Sequence, residues 1–212
     1  MLVIKKFTFN LFSENTYVVW DEETLEGIII DPGCYDKNEE DKLAAYIKEF
    51  SISPKYLINT HCHIDHILGN KFVKDKYNPI FLIPEKDLPL IQRADTQGAA
   101  FGIKIKEQPV TDGYISEEKS LFIGNSEITF LFTPGHTPGE FCVYFKKEEF
   151  CFTGDVLFQN SIGRTDLWNA DYDTLINSIN QKLLTLPPET LIYPGHGDSS
   201  RIGIEKMQNP FL

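Results

Sequence analysis

The segment from Thr60 to Asn70, THCHIDHILGN, places three histidines, one aspartate and one cysteine within six residues. Neutral imidazole and carboxylate oxygen are good ligands for zinc and neighbouring divalent metals, whereas a cluster of unpaired imidazoles in an apolar core would be costly to desolvate. A lone histidine is more simply a buried core residue. Three histidines and an aspartate at this density predict a metal site.

The remaining histidines occur in a similar setting. The chain has five histidines in all, and His136 follows the apolar strand pattern TFLFTPG while His196 follows LIYPG. Asp155 follows FCFTG in the same way. Ligands and catalytic groups collect at the carboxyl ends of strands, where rigid elements give way to loops. We therefore expect these side chains to converge with the histidine motif on one cleft.

The spacing within the motif suggests how it is presented. His61 and His63, two residues apart, lie on the same side of an extended segment, while Asp65 and His66 fall where a helix begins. This arrangement is suited to two adjacent metal ions. Cys62 points away from its histidine neighbours in an extended segment, so we do not expect it to be a ligand.

Strands and helices that carry these residues alternate along the chain. Short β-branched and aromatic runs predict strands near residues 7–31, 55–60 and 79–84, with helices at 38–50 and 66–77. Segment 93–113 shows no sustained period and is either a lid or interface loop or simple surface irregularity. Strands followed by a helix and a strand recur in residues 120–195. The pattern predicts two similar halves packed sheet to sheet, with helices outside.

Composition limits the possible functions. The chain has 212 residues, 42% hydrophobic and 24% charged, which is typical of one globular domain spanning 1–212. No apolar run approaches a membrane span, and Lys5 and Lys6 interrupt any secretory segment, so we expect a soluble cytoplasmic protein without a membrane partner. A net charge of −11 disfavours nucleic acid. The scattered cysteines predict reduced thiols, and the oligomeric state stays open.

HCHIDH resembles the HxHxDH motif of the metallo-β-lactamase superfamily. The other motifs of that superfamily are matched in order and approximate spacing by Asp31 in IIIDPG, His136 in TPGHTPG, Asp155 in FTGDVLF and His196 in YPGHGD. The resemblance covers nearly the whole chain. It implies an α/β fold of the α+β type, the four-layer αββα sandwich of the metallo-β-lactamase fold.

The same resemblance implies a ligand set for two metal ions. His61, His63 and His136 would hold one ion, Asp65, His66 and His196 would hold the other, and Asp155 would bridge them. Asp65 and Asp155 are the residues with expected catalytic roles. Asp31 would be a supporting residue behind the ligands, or else only a turn residue in Asp-Pro-Gly.

The resemblance implies hydrolysis. Two ions roughly 4 Å apart can share a hydroxide and polarise the group that it attacks. We expect two zinc ions, with iron or manganese as alternatives.

Within the superfamily, the stretch GDVLFQNSIGRTDL and the ending EKMQNPFL resemble glyoxalase II, which hydrolyses glutathione thioesters. The chain is short for the helical C-terminal domain of that enzyme. Arg164 matches a glutathione-anchoring lysine and is a predicted substrate-binding residue, or else the ion-pair partner of Asp166. Asp166 and Asp198 replace two anchoring tyrosines, and Glu140, where a histidine is common, is interpreted as a surface change. We predict a small-molecule thioester as the substrate.

Two other functions compete with this prediction. THCHIDH, TPGHTPG and GRTD also resemble the persulfide dioxygenases, in which His61, His136 and Asp155 would hold one ferrous ion. A non-enzymatic metal-binding module fits less well. Structural zinc sites are closed and usually cysteine-rich, whereas this set is rich in nitrogen and oxygen.

Overall fold

A computed structural model describes all residues of the chain, 1–212. The chain forms two compact units, the first made of Met1–Tyr114 with Phe122–Ser126 and the second of Ile115–Leu121 with Glu127–Leu212. No helix is long and apolar enough to cross a membrane.

The first sheet has six strands in sequence order: β1 (Leu2–Phe9), β2 (Glu14–Asp21), β3 (Glu26–Ile30), β4 (Ser53–Ile58), β5 (Ile80–Ile83) and β6 (Gly113–Tyr114). β1, β2 and β3 pair antiparallel, whereas β3 through β6 pair parallel. Because β3 and β4 run in the same direction, the residues that follow them, Asp31 and Asn59 onward, leave the sheet at the same edge.

Helices of the first unit pack against one side of this sheet. They are α1 (Lys37–Glu49), α2 (Ile64–Ile67), α3 (Asn70–Tyr77), α4 (Leu88–Gln92) and α5 (Ala94–Ala100), with a 3₁₀ turn at Glu85–Asp87. Leu43 and Ile47 of α1 recur at helical spacing and join Leu57 and Phe81 of the sheet in one apolar core. Burial of such a side chain contributes about 1.5–3 kcal/mol. The side chain of Asp36 caps α1 by accepting the Glu39 N–H at 2.9 Å.

Two features of the first unit differ from the sequence prediction. The single helix expected at 66–77 is broken, because the N–H of Gly69 donates to the carbonyl of Pro32 at 2.7 Å instead of continuing the α2 ladder. A Cβ on Gly69 would lie 2.4 Å from Cys34 Sγ, so this approach requires glycine. Segment 93–113 also contains a helix, α5, whose short length explains the missing period.

The second sheet has the order β14-β13-β10-β9-β8-β7. Its strands are β7 (Leu121–Ile123), β8 (Ser126–Phe132), β9 (Phe141–Phe145), β10 (Phe150–Gly154), β13 (Leu191–Pro194) and β14 (Ser200–Arg201). A separate hairpin of β11 (Leu157–Phe158) and β12 (Ser161–Ile162) follows β10. β10 and β13 are parallel neighbours, so the turns that follow them leave the sheet together.

The helices of the second unit are α6 (Tyr172–Ser178), continued by a π-helical turn at Ile179–Leu183, and α7 (Ile202–Gln208). Leu175, Ile179 and Leu183 are fully buried against Cys142 and Ile192 of the sheet. The sequence analysis predicted a helix within residues 120–195. The helical spacing of Leu175, Ile179 and Leu183 is the pattern that indicates it. The hairpin β11–β12, the short strand β14 and α7 were not predicted.

Candidate metal centre

Asp31 fixes the start of the histidine motif. It follows β3 with a positive φ of 48°, and its carboxylate accepts the Thr60 N–H at 2.7 Å and the Thr60 hydroxyl at 2.6 Å. The second of these oxygens, Oδ2, also lies 3.1 Å from Nδ1 of His66. The Asp31 carboxylate therefore contacts residues at both ends of the histidine motif, Thr60 and His66. These contacts go beyond the role of a turn residue in Asp-Pro-Gly.

The motif histidines are close together and mostly buried. His61 and His66 have no exposed surface, and their ring centroids are 4.1 Å apart. The ring of His63 is partly exposed and lies edge-on to His61 at 4.9 Å. One ligand atom from each of Asp31, His61 and His66 lies within 4.8 Å of the other two. The first unit therefore brings a buried group of imidazoles and carboxylates to the edge of its sheet.

His66 has the geometry of an oriented metal ligand. Its Nδ1 faces Asp31, and its Nε2 lies 3.7 Å from Oδ2 of Asp65. A carboxylate behind one ring nitrogen fixes the tautomer and leaves the other nitrogen for the metal.

Cys62 lies in the apolar core of the first unit, away from this group. Its backbone N–H donates to Asp87 Oδ2 at 3.2 Å, and burial, followed by the charge of Asp87, raises the pKa of its thiol well above the ordinary value. A protonated, buried thiol is a poor metal ligand. That Cys62 is no ligand stays a prediction, and the place of its side chain in the apolar core supports it. The other cysteines, Cys34, Cys142 and Cys151, are also free and buried.

A buried glutamate behind Asp31 was not predicted. Glu14 is fully buried, and burial raises the pKa of its carboxyl well above the ordinary value. The Thr16 hydroxyl lies 2.9 Å from both Glu14 Oε2 and the Asp31 carbonyl, and it accepts the Gly33 N–H at 2.8 Å. The Thr16 hydroxyl therefore links the Glu14 carboxyl to the backbone of the turn at Asp31 and Gly33. The only signal in the sequence is an acidic residue that lies shortly before the apolar run YVVW.

The second unit presents three of the predicted ligands. Asp155 Oδ2 lies 3.5 Å from Nε2 of His136 and 3.5 Å from Nε2 of His196. Nδ1 of His136 donates to the carbonyl of Arg164 at 2.8 Å, which orients the ring in the same way that Asp31 orients His66. The three residues follow β8, β10 and β13, as the sequence indicated.

Glycines allow these turns to approach one another. Gly135 has a φ of +138°, and a Cβ there would lie 2.4 Å from the backbone of Leu175. Gly195 N–H donates to the Gly154 carbonyl at 2.7 Å, which joins the turn of His196 to that of Asp155. A Cβ on Gly163 would lie 1.8 Å from the carbonyl oxygen of Asp155. The turn that carries Asp155 is therefore closely enclosed by backbone.

Two further residues lie near these proposed ligands, and only the second differs from the sequence interpretation. Arg164 makes a two-point ion pair with Asp166, with both N–O distances 2.7 Å, on an exposed surface. The guanidinium lowers the pKa of Asp166 to about 2.

Glu140 is fully buried, and its Oε1 accepts the Asp155 N–H at 2.7 Å, so the interpretation of Glu140 as a surface change was wrong. The sequence feature that could have indicated the burial of Glu140 is its position directly before the wholly apolar strand β9.

The donor spacing fits divalent metal. Two ligand atoms bonded to one tetrahedral ion at about 2.1 Å lie about 3.4 Å apart. The distances of 3.5 Å from Asp155 to each histidine, and of 3.7 Å between Asp65 and His66, are close to this value. The donors are nitrogen and oxygen atoms without sulfur, as preferred by catalytic rather than structural zinc.

Comparison with known proteins identifies the family. Residues 10–196 match the family model described as the metallo-beta-lactamase superfamily. The chain belongs to this superfamily. Its fold is therefore the predicted metallo-β-lactamase fold, a mixed α/β fold with two large sheets and helices.

Three relatives of this superfamily are informative. A protein named hydroxyacylglutathione hydrolase GloC, from Haemophilus influenzae, is 37% identical over 95% of this chain and 93% of its own length. The crystal structure of BLEG-1 B3 metallo-beta-lactamase has a TM-score of 0.90 and 34% identity, covering 99% of both chains. That of TTHA1623 in a di-iron-bound form has a TM-score of 0.87 and 34% identity, covering 98% of this chain and 100% of its own.

Proposed function

We propose that this superfamily member is a hydrolase that uses two divalent metal ions to cleave thioesters of small thiols. The observation that carries the proposal is the placement of Asp155, whose Oδ2 lies 3.5 Å from Nε2 of both His136 and His196. A carboxylate flanked by two imidazoles at this spacing suits a ligand shared by two ions. The di-iron-bound form of TTHA1623 supports a dinuclear centre.

The proposed ligand assignment follows the family pattern. One ion would bind His61, His63 and His136, and the other would bind Asp65, His66 and His196, with Asp155 shared. Zinc is the proposed metal, and iron or manganese also suits a nitrogen and oxygen donor set.

Divalent ions, when bound, lower the pKa of water towards neutrality and polarise a carbonyl group. Asp155 and Asp65 would serve the reaction through their carboxylates. Oδ2 of Asp155 would fix the spacing of the two histidines, and Oδ2 of Asp65, whose side chain is 13% exposed, would accept a proton from the attacking water. Water adds to the thioester carbonyl and the carbon–sulfur bond breaks, so a carboxylic acid and a thiol are formed. A thiolate, with a thiol pKa of about 8.5, leaves without a dedicated acid.

The thioester is favoured by the GloC relative, whose name describes hydrolysis of a hydroxyacylglutathione. Arg164 is the proposed anchor for a carboxylate of the thiol portion, since its guanidinium already binds a carboxylate at two points. Asp166 would then compete with the substrate. We expect Arg164→Ala to raise KM more than it lowers kcat, and Asp166→Ala to lower KM. A fall confined to kcat in Arg164→Ala would contradict this role.

The deciding experiment combines metal analysis with one anaerobic assay. Protein purified without added metal should contain near two ions per chain and should hydrolyse S-lactoylglutathione under argon. One iron per chain, with oxygen consumed on a persulfide, would instead establish the dioxygenase. Cleavage of a chromogenic cephalosporin alone would favour the activity named for BLEG-1. Metal binding with no turnover of these substrates would count against the proposal.

The bridging role has its own test. We expect Asp155→Ala to lose dinuclear loading, because the shared carboxylate is removed. Unchanged occupancy by two ions in this variant would refute the bridging role of Asp155.

The small-molecule substrate, the lack of a nucleic acid partner and the cytoplasmic location stay predictions from the sequence.

A further inference from the structure

Glu140 connects two of the turns that carry proposed ligands. It lies four residues after His136, immediately before β9, and its carbonyl accepts the Thr133 N–H at 2.9 Å. Its side chain extends to the turn after β10, where Oε1 accepts the Asp155 N–H at 2.7 Å. One residue therefore fixes the backbone on both sides of the His136 turn and the backbone of Asp155.

A carboxylate is a costly choice for this position. Glu140 is fully buried, and taking an ionised carboxylate out of water is unfavourable unless hydrogen bonds or nearby positive charge compensate. A neutral amide could accept the same N–H. The Glu140 side chain is one hydrogen bond away from the backbone of Asp155, whose Oδ2 lies 3.5 Å from Nε2 of both His136 and His196.

The enclosure of Asp155 gives this contact a specific consequence. Gly163 approaches the Asp155 carbonyl so closely that a Cβ would lie 1.8 Å from it. The backbone of Asp155 is thus held on both sides of its Cα, with its carbonyl oxygen against Gly163 and its N–H on Glu140. From this fixed position its carboxylate oxygen Oδ2 lies 3.5 Å from each of the two imidazole nitrogens.

We propose that Glu140 is a positioning residue for the metal centre, which fixes the Asp155 carboxylate between His136 and His196. This inference rests on the metal centre of the proposed function. It does not depend on the substrate, because its readout is metal binding. Outer residues that orient ligands typically change metal affinity by roughly 10- to 100-fold when they are removed.

The test is titration of metal-free protein with Zn²⁺, followed by metal analysis after gel filtration. Glu140→Ala should lower the affinity by roughly 10- to 100-fold and reduce the retained metal below the wild-type stoichiometry. Glu140→Gln keeps an oxygen that can accept the Asp155 N–H. It should therefore restore most of the affinity that Glu140→Ala loses, because the contact with the Asp155 N–H is kept.

Glu205 supplies a matched control. Glu205 is as deeply buried as Glu140 and lies in the same unit. Its carboxylate forms hydrogen bonds with Asn160, Ser200 and Asn209, and the bond from the Asn160 N–H to Oε2 is 2.8 Å long. None of these three partners is a proposed metal ligand. Glu205→Ala should lower Tm while leaving zinc affinity within about twofold of wild type. If Glu140→Ala fails to fold, Glu140→Asp, whose side chain is one methylene shorter and draws the carboxylate away from the Asp155 N–H, should also lose affinity.

The outcomes separate the two proposals. If wild-type protein does not bind two ions, the proposed dinuclear function fails. If wild-type protein binds two ions and folded Glu140→Ala or Glu140→Asp binds them with equal affinity, the positioning role of Glu140 is overturned. An equal loss in Glu140→Ala and Glu205→Ala would also overturn it, since that result indicates a general effect of removing a buried carboxylate.

Discussion

His66 and His136 are oriented by the same kind of contact. Nδ1 of each ring faces a protein oxygen, the carboxylate of Asp31 in one case and the carbonyl of Arg164 in the other, at 3.1 Å and 2.8 Å. Nε2 of each ring is then directed towards an aspartate. A ligand oriented in this way loses little rotational freedom on binding metal, which favours affinity.

Asp31 allows this argument to be tested at the level of one residue. Asp31→Ala removes the acceptor of both Thr60 bonds and the oxygen that faces His66. We expect zinc affinity to fall by roughly 10- to 100-fold, measured by titration of metal-free protein.

Asp36→Ala is the control for Asp31→Ala. It removes the cap of α1, a bond of 2.9 Å to the Glu39 N–H, and should cost about 1 kcal/mol of unfolding free energy without changing metal affinity. Equal zinc affinities of wild type and Asp31→Ala would contradict the orienting role.

At the scale of elements, the ligand-bearing turns depend on close contacts between backbone segments. The turn after β8 lies against α6, where Gly135 approaches Leu175, and the Gly135 carbonyl accepts the Asp171 N–H at 2.8 Å. Asp171 in turn caps α6 by accepting the Thr174 N–H. The helix and the His136 turn are thus fixed by the same residue.

Gly135→Ala should therefore be severely destabilising. The new Cβ would meet the Leu175 backbone at 2.4 Å, in a φ region that L-residues avoid, so we expect a loss of more than about 3 kcal/mol in urea unfolding. Gly102→Ala is the control, because Gly102 has a φ of +68° but no atom within 4 Å of the added Cβ. That variant should lose only about 1–2 kcal/mol. Similar losses in both variants would show that the contact with α6 is unimportant.

Asp112 links the parallel strands of the first sheet and predicts a pH effect. Its Oδ2 accepts from Lys74 Nζ at 2.6 Å and from the Phe81 N–H at 2.8 Å, and these contacts, Lys74 first, lower its pKa. A carboxyl with a lowered pKa stabilises the fold above its unfolded pKa of about 3.9, and this contribution is lost as the pH falls through the folded value.

Asp112→Asn should therefore show a smaller fall of Tm than wild type between about pH 5 and about pH 2. Asp75→Asn, which changes an exposed partner of Lys71 on α3, is the control and should follow the wild-type curve. If Asp112→Asn and wild type lose Tm in parallel, the carboxylate of Asp112 does not contribute to acid stability.

Much of the candidate site could be predicted from the sequence, because its ligands follow recognisable strands. His61 in the first unit and His136, Asp155 and His196 in the second each follow an apolar run, and the parallel neighbours β10 and β13 bring Asp155 and His196 to one edge of their sheet. The buried role of Glu140 could not be predicted. Its neighbours Gly139 and Pro138 resemble a surface turn, and only the return of the chain at Asp155 shows what the side chain contacts.

The break between α2 and α3 could not be predicted from sequence periodicity either. It depends on a hydrogen bond from Gly69 to Pro32, which lies 37 positions earlier in the chain (69 minus 32). The pairing of Arg164 with Asp166 was one of two alternatives, and the structure shows the ion pair. Contacts between distant segments thus account for most of what the sequence left open.

For the molecule as a whole, metal should contribute to stability as well as to activity. The chain carries a net charge of −11, and the proposed ligands are carboxylate and imidazole groups, so divalent cations should be attracted and should bind the folded state. A ligand at 100 times its Kd stabilises a protein by about 2.7 kcal/mol. We expect Tm to rise on adding Zn²⁺ to metal-free protein and to fall again with a chelator.

Calorimetry at several Zn²⁺ concentrations provides the measurement. Tm should increase steadily with concentration once the Kd is exceeded. Mg²⁺, which prefers an all-oxygen octahedral site, is the matched control and should have a much smaller effect. A Tm that does not respond to Zn²⁺ would argue against binding to the native state.

The burial of every cysteine affects whether the chain itself can react with thioesters and thiols. Burial raises the pKa of the thiols of Cys34, Cys62 and Cys142, and Cys151 is equally inaccessible. A catalyst that releases thiols from thioesters would meet both an acyl donor and a free thiol at each turnover. With no thiolate on its surface, this chain can neither capture the acyl group nor form a mixed disulfide with the released thiol while it stays folded.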